Sequence, residues 1–317
     1  LAALVRIAEA SGVPLAFDPA AFDISSSKRH SDRLMAMHHI PAPRYYPEGE
    51  PPYVAKPSTA SGSEGVAFLA SRQEVTMFLK GKDPDDWVIQ EFIEGPSYSM
   101  EIVGRLGAYE TYAATGIHMD EVFDCKRVTT PCTMPRGLER ELERIARTLA
   151  DHVSLEGIMD VEVIARGGRL YVLEIDARIP SQTPSAVYWS TGRNEIAETV
   201  QLFLGPWPPE RDEKTKDPPR HSSFLHVLVG NGQIRCAGEH IMTQGGVLRL
   251  VKGFCRADEA ITDYEPGSPL WRATFLHSAD SAEAVEERIL ITVETIRRLV
   301  GQPLPFVDPS PIHASGL

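Results

Sequence analysis

Cysteine is scarce in this sequence. Cys125, Cys132, Cys236 and Cys255 are the four among 317 residues, and they show no C-x-x-C pair and no histidines at zinc-site intervals. A redox motif and a structural zinc site are thereby excluded, and a reduced, cytoplasmic protein is the expectation. Positive charge is also short: 32 Lys and Arg stand against 44 Asp and Glu, a net charge of −12. With no basic block along the chain, a nucleic-acid partner is excluded on electrostatic grounds. Long apolar runs are missing too. None approaches the ~20 residues of a membrane helix, and the opening LAALVRIAEASG carries Arg6 and Glu9 within its apolar pattern, as an amphipathic helix does and a signal peptide does not. Neither GxGxxG, GxxxxGK[ST] nor GxSxG occurs, which removes the dinucleotide fingerprint, the P-loop and the serine-hydrolase elbow. What is present is ordinary globular material, 42% hydrophobic and 24% charged, sufficient for two or three lobes with cores of their own.

Caps and apolar spacing mark the helices. Ser71 and Glu74 form an S-x-x-E box opening SRQEVTMFLKG, with Gly81 as its stop. Leu138, Leu142, Ile145, Leu149 and Val153 make one stripe ending at Gly157. NEIAETVQLFLG closes at Gly205, and SAEAVEERILITVETIRRLVG aligns Val285, Ile289, Val293, Ile296 and Val300 before Gly301. Strand-like runs lie between them: PYVAKP, WVIQEFI, SMEIVG, MDVEVIA, LYVLEI and FLHVLVG. GVPLAFD, after the opening helix, reads as one more short strand. Short turns join several runs, so the sheets are expected to be largely antiparallel with helices on one face, an α/β (α+β) fold. Residues 206–220 are rich in proline and charge and read as a linker. The expected organisation is residues 1–27 as the remnant of a larger N-terminal α/β lobe, a domain over 28–205, the linker, and a C-terminal lobe over 221–317.

Three stretches carry chemistry. YVLEIDAR places Glu174, Asp176 and Arg178 at alternate positions of a strand, hence on one face. In the hairpin MDVEVIARGGRLYVLEIDAR, a two-residue turn at Gly167-Gly168 sets Glu162 opposite Leu173, on the wrong face. A three-residue loop from Gly167 to Arg169 sets it across from Glu174. In that second register three carboxylates crowd together, and a hard divalent cation such as Mg2+ answers the crowding; otherwise they are a solvated hairpin edge. YVAKPSTASGSEGV runs from an apolar strand through Lys56 into small residues that let backbone N–H groups approach an anion. WVIQEFIEG is an apolar strand whose edge can meet a purine, with Phe92 and Ile93 as apolar contacts.

The order Lys28, Lys56 with its loop, QEFIEG, then Glu162 and Glu174 in E(x)11E-x-D-x-R resembles the ATP-grasp superfamily of carboxylate–amine ligases over roughly residues 25–205. EIDARIPSQTPSAVYWSTG, with FDCKRV and GEHIM, is similar to the branch serving pyrrolysine biosynthesis, which joins 3-methyl-D-ornithine to the side-chain amine of L-lysine. The resemblance implies two lobes clasping ATP between antiparallel sheets. It implies phosphate contacts from Lys28, Lys56 and the loop residues Ser58, Ser61, Gly62 and Ser63, with adenine on Gln90, Glu91, Phe92 and Ile93. Glu162, Glu174 and Asp176 would hold magnesium, while Arg178, Lys126 and Arg127 would face the transferring phosphoryl group. Pro180, Ser181, Gln182, Thr183, Ser185 and Glu239 would contact the amino-acid substrate. The family's acidic ribose contact falls at Ser97, which leaves Glu101 or Glu94 to substitute. Small molecules and a second copy of the chain, as in a homodimer, are the implied partners, with no membrane. Other readings are an ATP-grasp ligase of the D-alanine or carbamoyl-phosphate type, and a non-catalytic ATP-binding module.

Overall fold

The computed structural model describes residues 1–59, 65–205 and 220–311. In chain order the elements are α1 (Ala2–Ser11), α2 (Pro19–Ser25), α3 (Lys28–Met37), β1 (Tyr53–Pro57), β2 (Ala67–Leu69), α4 (Arg72–Phe78), β3 (Trp87–Glu91), β4 (Ser97–Arg105) and β5 (Ala108–Thr111). There follow β6 (Thr115–Met119), β7 (Cys125–Thr130), α5 (Arg136–His152), β8 (Gly157–Arg166), β9 (Arg169–Asp176), α6 (Thr183–Thr191) and α7 (Glu195–Leu204). The last are β10 (His221–Gly230), β11 (Gln233–Cys236), α8 (His240–Thr243), β12 (Arg249–Lys252), β13 (Glu259–Thr262), β14 (Trp271–Ala279), α9 (Ala282–Val300) and β15 (Phe306–Val307). The chain packs as two compact units. The first takes Leu1–Ala114, Thr133–Pro184 and the stretch from Asn194; the second takes Thr115–Cys132, Ser185–Arg193 and the described residues of Lys214–Leu317. Most of the linker, residues 206–219, lies outside the described residues.

The first unit holds two antiparallel sheets. One is β2-β1-β3, with Lys56 across from Val88 and Val54 across from Gln90. Its other face buries Tyr53, Ala55 and Ile89 with Leu69 and Val75 as a small core. The other sheet runs β5, β4, β8, β9. Helix α5 packs on β4, β5 and β9, and α7 on β4 and β8. The apolar stripe read from the sequence is what α5 buries, at Leu142, Ile145 and Leu149. Helix α4 begins as its box requires, Ser71 accepting from the Glu74 N–H at 3.2 Å, but the Glu74 carboxylate reaches Ala70 N at 3.0 Å, and the helix stops at Phe78, three residues short of Gly81.

The GVPLAFD segment is not a strand. Residues 13–16 are irregular, and Asp18 turns its carboxylate onto the N–H groups of Ala20 and Ala21 to cap α2. An aspartate just before Pro19 makes a helix start, and that local signal overrides the apolar pattern.

The second unit is a sheet ordered β12-β13-β14-β10-β7-β6, with β11 also paired to β10 and β15 to β11. The β11–β15 pair is the parallel one. Helix α9, capped by Ser281 and ended by left-handed Gly301, buries Val285, Ile289, Val293 and Ile296 against Leu225, Trp271 and Phe275 of the sheet. No helix among the described residues is long and apolar enough to cross a membrane.

Candidate active site

The hairpin of β8 and β9 reaches the register that brings the carboxylates together, though by a different device from the looped turn. Arg166 pairs with Arg169, so the turn is the two-residue Gly167-Gly168. Both glycines have positive φ, 60° and 77°, the combination of a tight hairpin turn that only glycine adopts without strain. On that register Glu162 would meet Leu173. A β-bulge between Glu162 and Val163 removes the mismatch: Val163 pairs with Val172, Glu162 with Glu174, and Leu173 is the extra residue.

Continuing onto β4 gives two rows on one face of the sheet. Ser99, Glu162 and Glu174 form the first, and Glu101, Asp160 and Asp176 the second, two residues further along each strand. Between them Met100, Val161 and Ile175 point the other way and are buried. Five carboxylates therefore share a face with few cations. Lys28, at the start of α3, sets its Nζ 3.1 Å from Glu174 Oε1, and Arg178 bonds Asp176 at 2.7 Å. Ser99 donates its hydroxyl to Asp160.

Electrostatics follow from this crowding. Burial, then the charges of Asp160 and Glu174, push the Glu162 carboxyl up to about 8, with Lys56 opposing. Burial pushes Asp176 up to about 6 against the pull of Arg178. Asp160 is raised well above the carboxylate range by burial and by Glu101. Glu101, fully buried, is raised to about 7 by burial, with the Thr183 hydroxyl lowering it. Lys56 is half-buried, and desolvation lowers its ammonium while Glu174 works against that.

The donor set fits a divalent cation. Glu162, Glu174 and Asp176 offer only oxygen and repel one another, and each gains from a nearby positive ion. Among the described residues no three such side chains already converge as a preformed cage, because Glu174 is turned to Lys28 and Asp176 to Arg178. Magnesium bound through one or two carboxylates plus phosphate oxygens needs no such cage.

The remaining expected residues fall as follows. Ser58 gives its carbonyl to Lys28 N at 3.0 Å and its N–H to Asp86 O at 2.8 Å, whereas Ser61, Gly62 and Ser63 lie outside the described residues. Gln90 is buried and donates Nε2 to Asp32 Oδ2 at 3.1 Å. Glu91 is held by Arg44 Nη2 at 2.9 Å. With both side chains engaged, any adenine contact there falls to the backbone and to the neighbours. Phe92 meets Phe68 edge-on at 5.4 Å, and Ile93 is buried. Gln182 and Thr183 are buried, Ser181 is exposed, and Pro180 is half-buried.

Within the second unit, Lys126 is bound by Asp308 at 2.6 Å and by the Pro309 carbonyl. Arg127 donates to Ser223 at 2.8 Å and pairs with Glu286. Ser185 is half-buried near the start of α6, and Glu239 is the N-cap residue of α8.

Asp160, Asp32 and Tyr45 were not anticipated from the sequence. The M-D-V-E alternation of β8 carried the signal for Asp160, since a residue two before Glu162 shares its face. Asp32 accepts from Tyr45 and Gln90, a link between segments far apart in sequence that no local pattern announces. Asp32, Tyr45 and Gln90, with Arg29, Arg33 and Arg169, line a cavity of about 620 Å3 in the first unit.

The comparisons with known proteins bear on this arrangement. Residues 25–182 match the family model described as an ATP-grasp domain. The chain belongs to the ATP-grasp superfamily. It is 35% identical over 243 residues to the 3-methyl-D-ornithine–L-lysine ligase of Methanosarcina mazei, an alignment covering 76% of this chain and 62% of that protein. The chain thus spans about three-fifths of the length of that relative. Among solved structures it is similar to biotin carboxylase from Campylobacter jejuni, with a TM-score of 0.70 at 12% identity, covering 92% of this chain and 71% of that one. It is also similar to an L-amino acid ligase from Bacillus licheniformis, with a TM-score of 0.65 at 18% identity, covering 92% and 75%. At such identities these likenesses establish the ATP-grasp fold and no more.

Proposed function

We propose that this chain is the ATP-dependent ligase component that joins the carboxylate of 3-methyl-D-ornithine to the side-chain amine of L-lysine. The reading is carried by one observation: Glu162 and Glu174 face each other across β8 and β9 with Lys28 on Glu174 and Lys56 close by. The 35% identity to a ligase of that name supplies the substrates. A carboxylate acylates amines poorly in water, so ATP converts it to an acyl phosphate that the amine attacks, releasing phosphate. Phosphoryl transfer asks a protein mainly for positioning and charge neutralisation. Lys28 and Lys56 would hold the phosphates, the segment from Gln90 to Ile93 the adenine, and Arg178 the charge building on the transferring group. Magnesium on Glu162, Glu174 and Asp176 would neutralise phosphate oxygens. The residues from Pro180 to Thr183 would line the diamino-acid site; Lys126 and Arg127 are proposed to serve the phosphoryl group, and Ser185 and Glu239 the amino-acid substrate. Residues 28–205 would be the catalytic domain, followed by the linker and the C-terminal lobe.

The test is mass spectrometry of the products made from ATP, Mg2+, L-lysine and D-ornithine isomers. An amide product with stoichiometric ADP is expected. ADP release indifferent to D-ornithine would refute the substrate, and absence of ADP with every carboxylate offered would refute the ligase.

A further inference from the structure

Glu101 is the fully buried member of the carboxylate face, with no cation beside it among the described residues and both oxygens outside hydrogen-bonding geometry. Glu174 has Lys28, Asp176 has Arg178, and Asp160 has the Ser99 hydroxyl. Glu101 is 0% exposed, and neither of its oxygens has a hydrogen-bond partner. A buried carboxylate left in that state costs several kcal/mol unless a cation or donors meet it. A second group from another element shares the condition. Thr183 opens α6, is 5% exposed, and its hydroxyl also lacks a partner, although it stands near enough to Glu101 to lower that carboxyl's pKa. Two buried oxygen groups from different elements therefore converge here.

Position along the sheet says which part of a reaction they would serve. Gly95, next to the proposed adenine segment, packs so closely on β8 that a Cβ there would sit 2.0 Å from the Ala165 carbonyl, and Ala165 N bonds Pro96 O at 3.0 Å. From Ala165, the Glu162 row lies about 10 Å further along the strand and the Glu101 row about 17 Å, at ~3.3 Å per residue. Adenine at one end and the phosphates along the first row put the second row, from which Asp176 would reach the metal, at the terminal phosphate, where the acyl group and its amine meet. A ribose contact would have to fall between the Gly95–Ala165 hinge contact and the first row, so Glu101 stands at the wrong end for it. Ser97, paired with Ile164, stands at the right one.

We infer that Glu101 and the Thr183 hydroxyl form the subsite for a primary ammonium group of the amino-acid substrate. The inference rests on the ligase reading above and deepens it. An ammonium has three donors and no acceptor, which matches a site offering carboxylate and hydroxyl oxygens. Gln182 and Thr183 belong to the segment proposed to line the diamino-acid site, so a diamino acid held there presents such a group within the same neighbourhood.

The test uses the whole chain, with Glu101→Gln and Thr183→Val, and calorimetric binding of D-ornithine, D-norvaline, 5-aminopentanoate and Mg·ADP. Losing a hydrogen-bonded charge should weaken D-ornithine binding roughly 10- to 100-fold in Glu101→Gln and less in Thr183→Val. Mg·ADP binding should change less than about two-fold, because neither side chain serves the nucleotide. Wild-type protein should discriminate against whichever analogue lacks the ammonium that Glu101 holds, and Glu101→Gln should lose that discrimination. Should Glu101→Gln not fold, Thr183→Val carries the same comparison. Unaltered discrimination overturns the subsite, as does an equal loss of D-ornithine and Mg·ADP affinity, which would make Glu101 a metal or nucleotide group. If wild type forms ADP with D-ornithine and lysine while both variants bind D-ornithine normally, only the subsite fails; if wild type binds no D-ornithine, the ligase reading fails with it.

Discussion

Glu162 makes the ligand-free protein lose stability as pH rises toward 8, and Glu162→Gln removes that loss. In the folded chain its carboxyl is raised from an ordinary 4.5 to about 8, with burial first and then Asp160 and Glu174 as causes. The folded state therefore holds a proton that the unfolded chain gives up, so this group's contribution is complete below about pH 4.5 and disappears as pH climbs through about 8. At ~1.4 kcal/mol per pH unit the upper limit is about 5 kcal/mol. Because the side chain is only half-buried and shares its field with neighbours, solvent screening brings that to about 2 kcal/mol. For a chain of this size the effect is a fall in Tm of roughly 2 to 4 °C. Scanning calorimetry of wild type and Glu162→Gln at several pH values from 5 to 8, without divalent ions, measures it. Glu101, Asp160 and Asp176 titrate in the same direction, so both proteins should soften, the wild type more steeply. Parallel profiles would refute the assignment of a proton to Glu162.

Glu174→Gln should cut ADP formation at least about 100-fold while the Tm stays near wild type, since the amide oxygen can still accept from Lys28; undiminished turnover would remove Glu174 from the metal site. Lys28→Met, by releasing Glu174 from its partner, should tighten Mn2+ binding without nucleotide about three-fold, as read by electron paramagnetic resonance, whereas weaker Mn2+ binding would mean that Lys28 organises the site instead of competing for it. Lys56→Ala should weaken ATP binding in calorimetry by about ten-fold or more, and an unchanged affinity would detach the loop from the phosphates. Gly95→Ala should destabilise the first unit by about 1 to 3 kcal/mol, because its Cβ would lie 2.0 Å from the Ala165 carbonyl; denaturant unfolding at wild-type midpoint would contradict that packing.

The legible parts of this protein are those fixed by neighbours in sequence. Ser281 and Gly301 bound α9 as their capping chemistry requires, and the α5 stripe is buried where the 3.6-residue period puts it. Strand alternation put Glu174 and Asp176 on one face, whereas Arg178 lies past the end of β9 and pairs with Asp176. What resisted reading depends on contacts across the chain. The bulge that inserts Leu173 is set by the fit of β9 against β8, not by the composition of the turn. Asp32 is joined to Gln90, 58 residues away, and Glu101 meets Asp160 only because β4 pairs with β8. GVPLAFD misled for the opposite reason: its apolar residues suggested a strand, while the Asp18-Pro19 step had already specified a helix start.

The two devices in the hairpin also explain each other. A Gly-Gly turn of two residues holds β8 and β9 in tight register and, by strand parity alone, sends Glu162 and Glu174 to opposite faces. A longer turn would correct the parity but would loosen the hairpin end, where Pro96 N-terminal to β4 docks onto Ala165. Placing the extra residue at Leu173 instead leaves the turn and the hinge contact rigid and moves the parity change next to the carboxylates that need it. Beyond the bulge, Glu174 and Asp176 share the face of Glu162 and Asp160, while Ile175 between them points into the core. A bulge also deepens the local twist; β9 ends at Asp176, and the chain runs on through Arg178 to reach Thr183 at the start of α6. The same irregularity that assembles the metal-facing carboxylates thus delivers the segment that ends beside Glu101.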